Sequence, residues 1–214
     1  MRKIVIILFF FSLITSSYGG VKETTSYQDS STCDNGLIIN GIKWATRNVD
    51  APGTFAKNPE DAGMFYQWNR KKAWKLTDDW VTGWDSTIPE GVKWEKENDP
   101  SPIGWRVATI YEIKSLFDTD KVNNEWYVVN GVNGRKFTDL VNGNSIFLPA
   151  AGFCRWNDGV RMFIGEVCYW SSTPCDSNSE RAYGLSDSKG QSNEFTEFGA
   201  YGRQFGYLVR CVAE

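Results

Sequence analysis

Past its first twenty residues, this chain never carries an apolar run far before a turn residue stops it. Leu37-Ile38-Ile39 leads into Asn40-Gly41, and Ile42-Lys43-Trp44 follows. Asn-Gly between apolar runs is a strong hairpin signal, because both residues tolerate the positive φ of a tight reversal. Similar Gly, Asn and Asp punctuation recurs to the C-terminus, with 20 glycines in 214 residues. Such spacing favours many short strands over a helical bundle. Ten Trp, nine Tyr and thirteen Phe are enough rings that most of them belong in a core. One segment breaks the strand pattern. Thr109 and Glu112 form a capping box, and Ile110, Ile113, Leu116 and Phe117 make one apolar helical stripe. The segment 64–74 fits either a short strand or an irregular helix. Residues 77–104 form a long Trp-bearing loop, of the kind that is functional or packed by its own aromatics.

The first residues read as a secretory leader over 1–19: Arg2-Lys3, an apolar run from Ile4 to Phe11, then a Ser17-x-Gly19 cleavage site. The run is shorter than the roughly 20 residues of a comfortable membrane span, so no span is expected after cleavage. Removing Arg2 and Lys3 leaves 21 basic against 26 acidic residues, a net charge of −5. That surface gives no electrostatic reason to bind nucleic acid. Residues 20–36 read as a polar, flexible lead-in, and residues 37–214 as one domain. Histidine is absent, which excludes a Ser-His-Asp triad and, with no C-x-x-C pair, argues against zinc.

Four ordered motifs carry a resemblance. They are "ENDPSPIGWRVATIYEIKSL", "IFLPAAGF", "YWSST" and "GYLVRCV", with "WATRNVDAPGTFA" near the start. Together they resemble the Fibrobacter succinogenes major paralogous domain, common in exported proteins of Bacteroidota, over roughly residues 37–214. The resemblance implies an α+β, C-type-lectin-like fold: short twisted antiparallel strands, one or two helices and long loops. That variant is shared with formylglycine-generating enzymes and with the variable proteins of diversity-generating retroelements. It also implies that the two chain ends meet in one sheet. The chain departs from the family at Ser101, where a cysteine usually partners the one at Cys211, and at Ala108, where proline is usual.

Trp156-Asn157-Asp158 is the tripeptide with which many calcium-dependent lectins hold metal and sugar. Calcium needs six to eight oxygens, and no Glu-Pro-Asn or Gln-Pro-Asp loop accompanies it here. Asn157-Asp158-Gly159 therefore reads as a turn holding Trp156 near a loop tip, and no cofactor is expected. Cys154 and Cys168 flank that hairpin and suit a cross-strand disulfide. By the resemblance, Cys33 would stand in as partner to Cys211, leaving Cys175 over; free thiols at several of these positions are the alternative. The formylglycine-generating cysteine pattern does not map onto them. The carboxylates cluster as Asp78-Asp79, Glu95/Glu97/Asp99 and Glu194/Glu197. A glycosidase needs two facing one bond about 5–9.5 Å apart, which spacing alone does not give.

The C-terminal loops mix Arg and aromatics, the residues of interface hot spots, with the Tyr, Ser, Gly and Asn of adaptable binding loops. The retroelement-diversified relatives vary in this same part of the chain. The expected patch is Trp156, Arg161, Phe163, Arg181, Phe195, Tyr201, Gln204, Phe205 and Tyr207, with Arg203 and Arg210 structural. The expectation is an exported, non-enzymatic, metal-independent module for cell adhesion or glycan or protein binding. A structural subunit of a surface assembly and a carbohydrate-active enzyme are the alternatives.

Overall fold

The computed structural model describes residues 31–189 and 194–214. The expected leader and the lead-in as far as residue 30 lie outside them. The Asn40-Gly41 hairpin forms as expected: β1 (Leu37–Ile39) pairs antiparallel with β2 (Ile42–Trp44), with φ at +48° and +77° in the turn. Segment 64–74 is a hairpin, not a helix, made of β3 (Phe65–Tyr66) and β4 (Ala73–Trp74). The long loop after it packs its rings against those of the hairpin. Trp84 lies 5.0 Å from Trp74, and Trp94 lies 5.6 Å from Trp68. It contains one 3-10 turn, Lys96–Asn98, and leads to β5 (Trp105–Val107).

The capping box is present at Thr109 and Glu112, but helix α1 runs only from Ile110 to Ser115. Ile110, Ile113 and Leu116 are buried. A long meander follows, of β6 (Val122–Val129), β7 (Val132–Asp139) and β8 (Ser145–Pro149), paired in that order. Then come the small hairpin β9 (Phe153–Cys154) and β10 (Arg161–Met162) and the paired strands β11 (Glu166–Pro174) and β12 (Arg181–Lys189). The far edge of β12 is covered first by β13 (Glu194–Glu197) and then by β14 (Ala200–Gly202). The last strand, β15 (Cys211–Ala213), lies between β2 and β5. The first and last described strands thus share one sheet.

The α+β, C-type-lectin-like expectation is not met. The described residues are mostly β, in several small antiparallel sheets, and the one α-helix among them has six residues. The cause is the punctuation itself. Turn residues arrive before a helix can repay its costly nucleus, and each reversal hands the backbone to a neighbouring strand.

What joins these small sheets is the segment from Arg203 to Cys211. Tyr207 exchanges two backbone hydrogen bonds with Tyr66 (2.8 and 2.9 Å). Leu208 bonds to Cys168 and Trp170, Val209 receives Val49, and Arg210 receives Ala108. The Arg210 side chain is fully buried and donates to Asn48 Oδ1, Ala45 O and Phe147 O. A buried guanidinium is tolerated only when its donors are used, so Arg210 is a structural tie, as expected. Arg135 and Asp187 form a second buried charged contact, an ion pair between β7 and β12 (3.2 Å).

The disulfide expectations fail: none of the five cysteines is bonded to another. Cys154 packs in the main core, Cys168 with Trp170 and Tyr207, and Cys211 in a third cluster with Val107 and Val209. Neither Cys154–Cys168 nor Cys33–Cys211 is therefore bonded; Cys33 is exposed. The Cys211 thiol instead donates to the Ser101 hydroxyl at 3.0 Å. Burial pushes the Cys154 thiol up to about 12 and raises those of Cys168 and Cys211 as well.

Candidate ligand-binding site

The turn at 155–160 sits above the joining segment. Arg155 and Val160 close it through the backbone, and Gly159 donates to Arg155 O with φ at +69°. Asp158 is used up inside the turn, accepting from the Arg155 guanidinium and from Val160 N. Those bonds hold its carboxyl below the usual range. The Trp-Asn-Asp tripeptide is thus a corner, with its carboxylate turned to the protein. Trp84 steadies it from below: its indole N–H donates to Trp156 O (2.8 Å), and its ring face lies against Gly159, where a Cβ would come within 2.9 Å. Trp156 itself is 46% exposed. A fixed turn presenting a half-exposed indole is a pre-organised contact.

Beside Trp156 lies an open pocket of about 330 Å³, lined by Trp156, Glu180, Arg181, Gly202, Gln204 and Phe205. Four of the nine expected binding residues thus converge here: Trp156, Arg181, Gln204 and Phe205. Arg203 organises the wall from behind. Its backbone N–H donates to Glu180 O (3.0 Å), and its guanidinium donates to Arg181 O and Gly91 O while lying 4.1 Å over the Trp68 ring. It is buried, in keeping with the structural role expected of it. Arg181 uses one nitrogen on Ala200 O. Among the described residues, neither Glu180 nor Arg181 has a salt-bridge partner. The Gln204 Oε1 is enclosed with no hydrogen-bond partner.

The other expected residues go elsewhere. Phe163, 57% exposed and at φ +52°, stacks on Phe153 (5.5 Å), which in turn meets Phe205 edge-on (5.5 Å). It therefore flanks the pocket without lining it. Arg161 turns away to pair with the Asp79 carboxylate. Tyr201 is half-buried, its hydroxyl donating to Glu197 (3.3 Å), and burial raises its pKa. Tyr207 is corrected: it is 2% exposed, stacked on Trp170 at 4.5 Å, and belongs to the core. Phe195 lies on β13 opposite Ser188, and its side chain lies outside the described residues.

Sequence reasoning missed Glu180 and Gly202 as wall residues. The signal for Glu180 was its adjacency to Arg181 in a turn-rich loop. Gly202 gave none, because its role is to leave room: a Cβ there would meet Gln204 Oε1 at 2.9 Å. Among the described residues, no group of three or more acidic, Cys or His side chains is placed to hold a metal, and no helix is long and apolar enough to cross a membrane. No protein-family model, curated protein or solved structure matches the chain.

Proposed function

We propose that this chain is an exported binding module that presents its C-terminal loops to a glycan or protein ligand outside the cytoplasm, with no metal between them. The observation that carries the reading is the convergence of Trp156, Arg181, Gln204 and Phe205 on one open pocket. A volume of about 330 Å³ falls at the low end of small-ligand sites, which run from about 300 Å³ upward. The aromatic faces offer apolar area, and Arg181 with Glu180 offers orientation. The wall stands on backbone hydrogen bonds and on the buried Arg203, so ligand capture orders little that is not ordered already. Binding is favoured over hydrolysis because Glu180 is the sole carboxylate among the described lining residues, whereas glycoside hydrolysis normally uses two.

The family resemblance belongs to the same proposal. Support comes from Ser101, which stands at the position where a cysteine is expected opposite Cys211 and touches that thiol. The test is a glycan array run beside a surface-protein pull-down, using the chain from residue 20 and its Trp156→Ala and Arg181→Ala variants. Capture lost in both variants and unchanged by a chelator supports the reading. Capture indifferent to both substitutions, or abolished by the chelator, overturns it.

A further inference from the structure

The walls of the pocket define its ligand more closely than its volume does. Its two charged wall residues are adjacent in sequence, opposite in sign and without salt-bridge partners among the described residues. An anionic group drawn to Arg181 meets Glu180; a cationic group drawn to Glu180 meets Arg181. A neutral group that both donates and accepts satisfies the two together. The Gln204 amide lines the cavity as well; its oxygen is enclosed, with no hydrogen-bond partner in this rotamer. Its terminal torsion is broad and two-fold, so the wall can offer the cavity an acceptor or a donor. Filling the pocket with a purely apolar side chain leaves these three groups unanswered, which costs affinity. The two aromatic walls, Trp156 and Phe205, offer apolar area for the face of a ring. A ring with one apolar face and a rim of hydroxyls that both give and take hydrogen bonds matches every element of the wall.

We infer that the pocket takes a neutral pyranose, an assignment that rests on its being the binding site proposed for this chain, and that Phe163 is a second platform for a further residue of the same oligosaccharide. The chain Phe205–Phe153–Phe163 supports the second half. It runs from the pocket wall to an exposed ring in two contacts of 5.5 Å each. Phe163 holds a left-handed backbone conformation, uncommon for a bulky residue, while remaining 57% exposed.

The experiment is calorimetric titration of the chain from residue 20 with neutral gluco-, manno- and xylo-oligosaccharides of one to six residues. Acidic oligogalacturonates and tyrosine-containing peptides form separate arms. Neutral sugars are expected to bind, with affinity rising from one residue to two or three. Gln204→Leu is expected to weaken every neutral sugar about five- to tenfold, the scale of one hydrogen bond. Phe163→Ala is expected to remove the gain with length and leave the monosaccharide unchanged. Tighter binding of the acidic series, or length dependence untouched by Phe163→Ala, overturns the inference. Peptide capture sensitive to Trp156→Ala, with no sugar bound, overturns it while the binding reading stands. If no arm binds and array and pull-down capture are also indifferent to Trp156→Ala and Arg181→Ala, both fail.

Discussion

Replacing Ser101 with cysteine should cross-link the fold at the place where the resemblance expects a bridge. The Cys211 sulfur already touches the Ser101 hydroxyl at 3.0 Å, and the two residues are 110 apart in sequence. Closing a loop of that length removes unfolded-state entropy equivalent to about 5 kcal/mol at 25 °C. The native state returns part of this. The two atoms must approach to about 2 Å, and the 99–102 loop is stiff. Asp99 accepts from Ser101 N and Val107 N, and Pro100 O accepts from Gly53 N. A net gain of about 2–4 kcal/mol is expected, or roughly 10 °C in Tm for a chain of this size. Oxidised and reduced Ser101→Cys protein are melted side by side, and thiols are titrated in denaturant. Five native cysteines and the new one should fall to four free thiols on oxidation. Six thiols after oxidation, or coincident melts, would refute the geometry.

Arg203→Met keeps volume but removes two charged hydrogen bonds and the contact over Trp68; a loss of about 2–4 kcal/mol is expected in urea unfolding, with ligand capture lost as well. Gly159→Ala puts a methyl at positive φ and against the Trp84 ring. It should cost about 1–2 kcal/mol but weaken binding at Trp156 more than that stability loss explains, as compared by calorimetry. The bond to Arg155 holds the Asp158 carboxyl below its ordinary 3.8. Its stabilisation of the turn is therefore complete above that value and fades as pH falls through the lower folded one. The affinity that the wild-type chain holds over its Asp158→Asn variant should be level from neutral pH to about 4.5 and shrink only below 3.8. In the native chain one thiol, Cys33, should react promptly with a thiol reagent and the four buried ones only in denaturant; a shortfall from five in denaturant would reveal a disulfide.

Local features were legible because local chemistry decides them. Asn40-Gly41, Asn157-Asp158-Gly159 and the Thr109–Glu112 box name their own conformations through positive-φ tolerance and side-chain capping. The architecture was not legible. Its sheets are joined by isolated backbone contacts, such as Tyr66 with Tyr207 and Cys168 with Leu208, which have no signature in composition or periodicity. The cysteines misled for the same reason. Spacing placed Cys154 and Cys168 either side of a hairpin, yet β9 and β11 direct them into different apolar clusters. Tyr207 misled because an aromatic among Gly, Arg and Gln reads as a loop residue, while its backbone is bonded into the centre of the molecule.

The position of the pocket follows from how the joining segment is used. From Arg203 to Cys211 its backbone is engaged by β3, β11 and the first loops, so the path of the chain there is fixed. Side chains along it must then divide by direction. Arg203, Tyr207 and Arg210 point inward and complete buried hydrogen bonds or ring stacks. Gln204 and Phe205, between them, face the pocket. Frame and proposed binding surface are thus interleaved in one stretch of sequence. Exchanging Gln204 leaves every interstrand bond in place, whereas exchanging Arg203 strikes the wall from behind. Such an arrangement lets the proposed binding surface change at Gln204 without refolding the protein beneath it, because the backbone that positions this residue is held by contacts its side chain does not make.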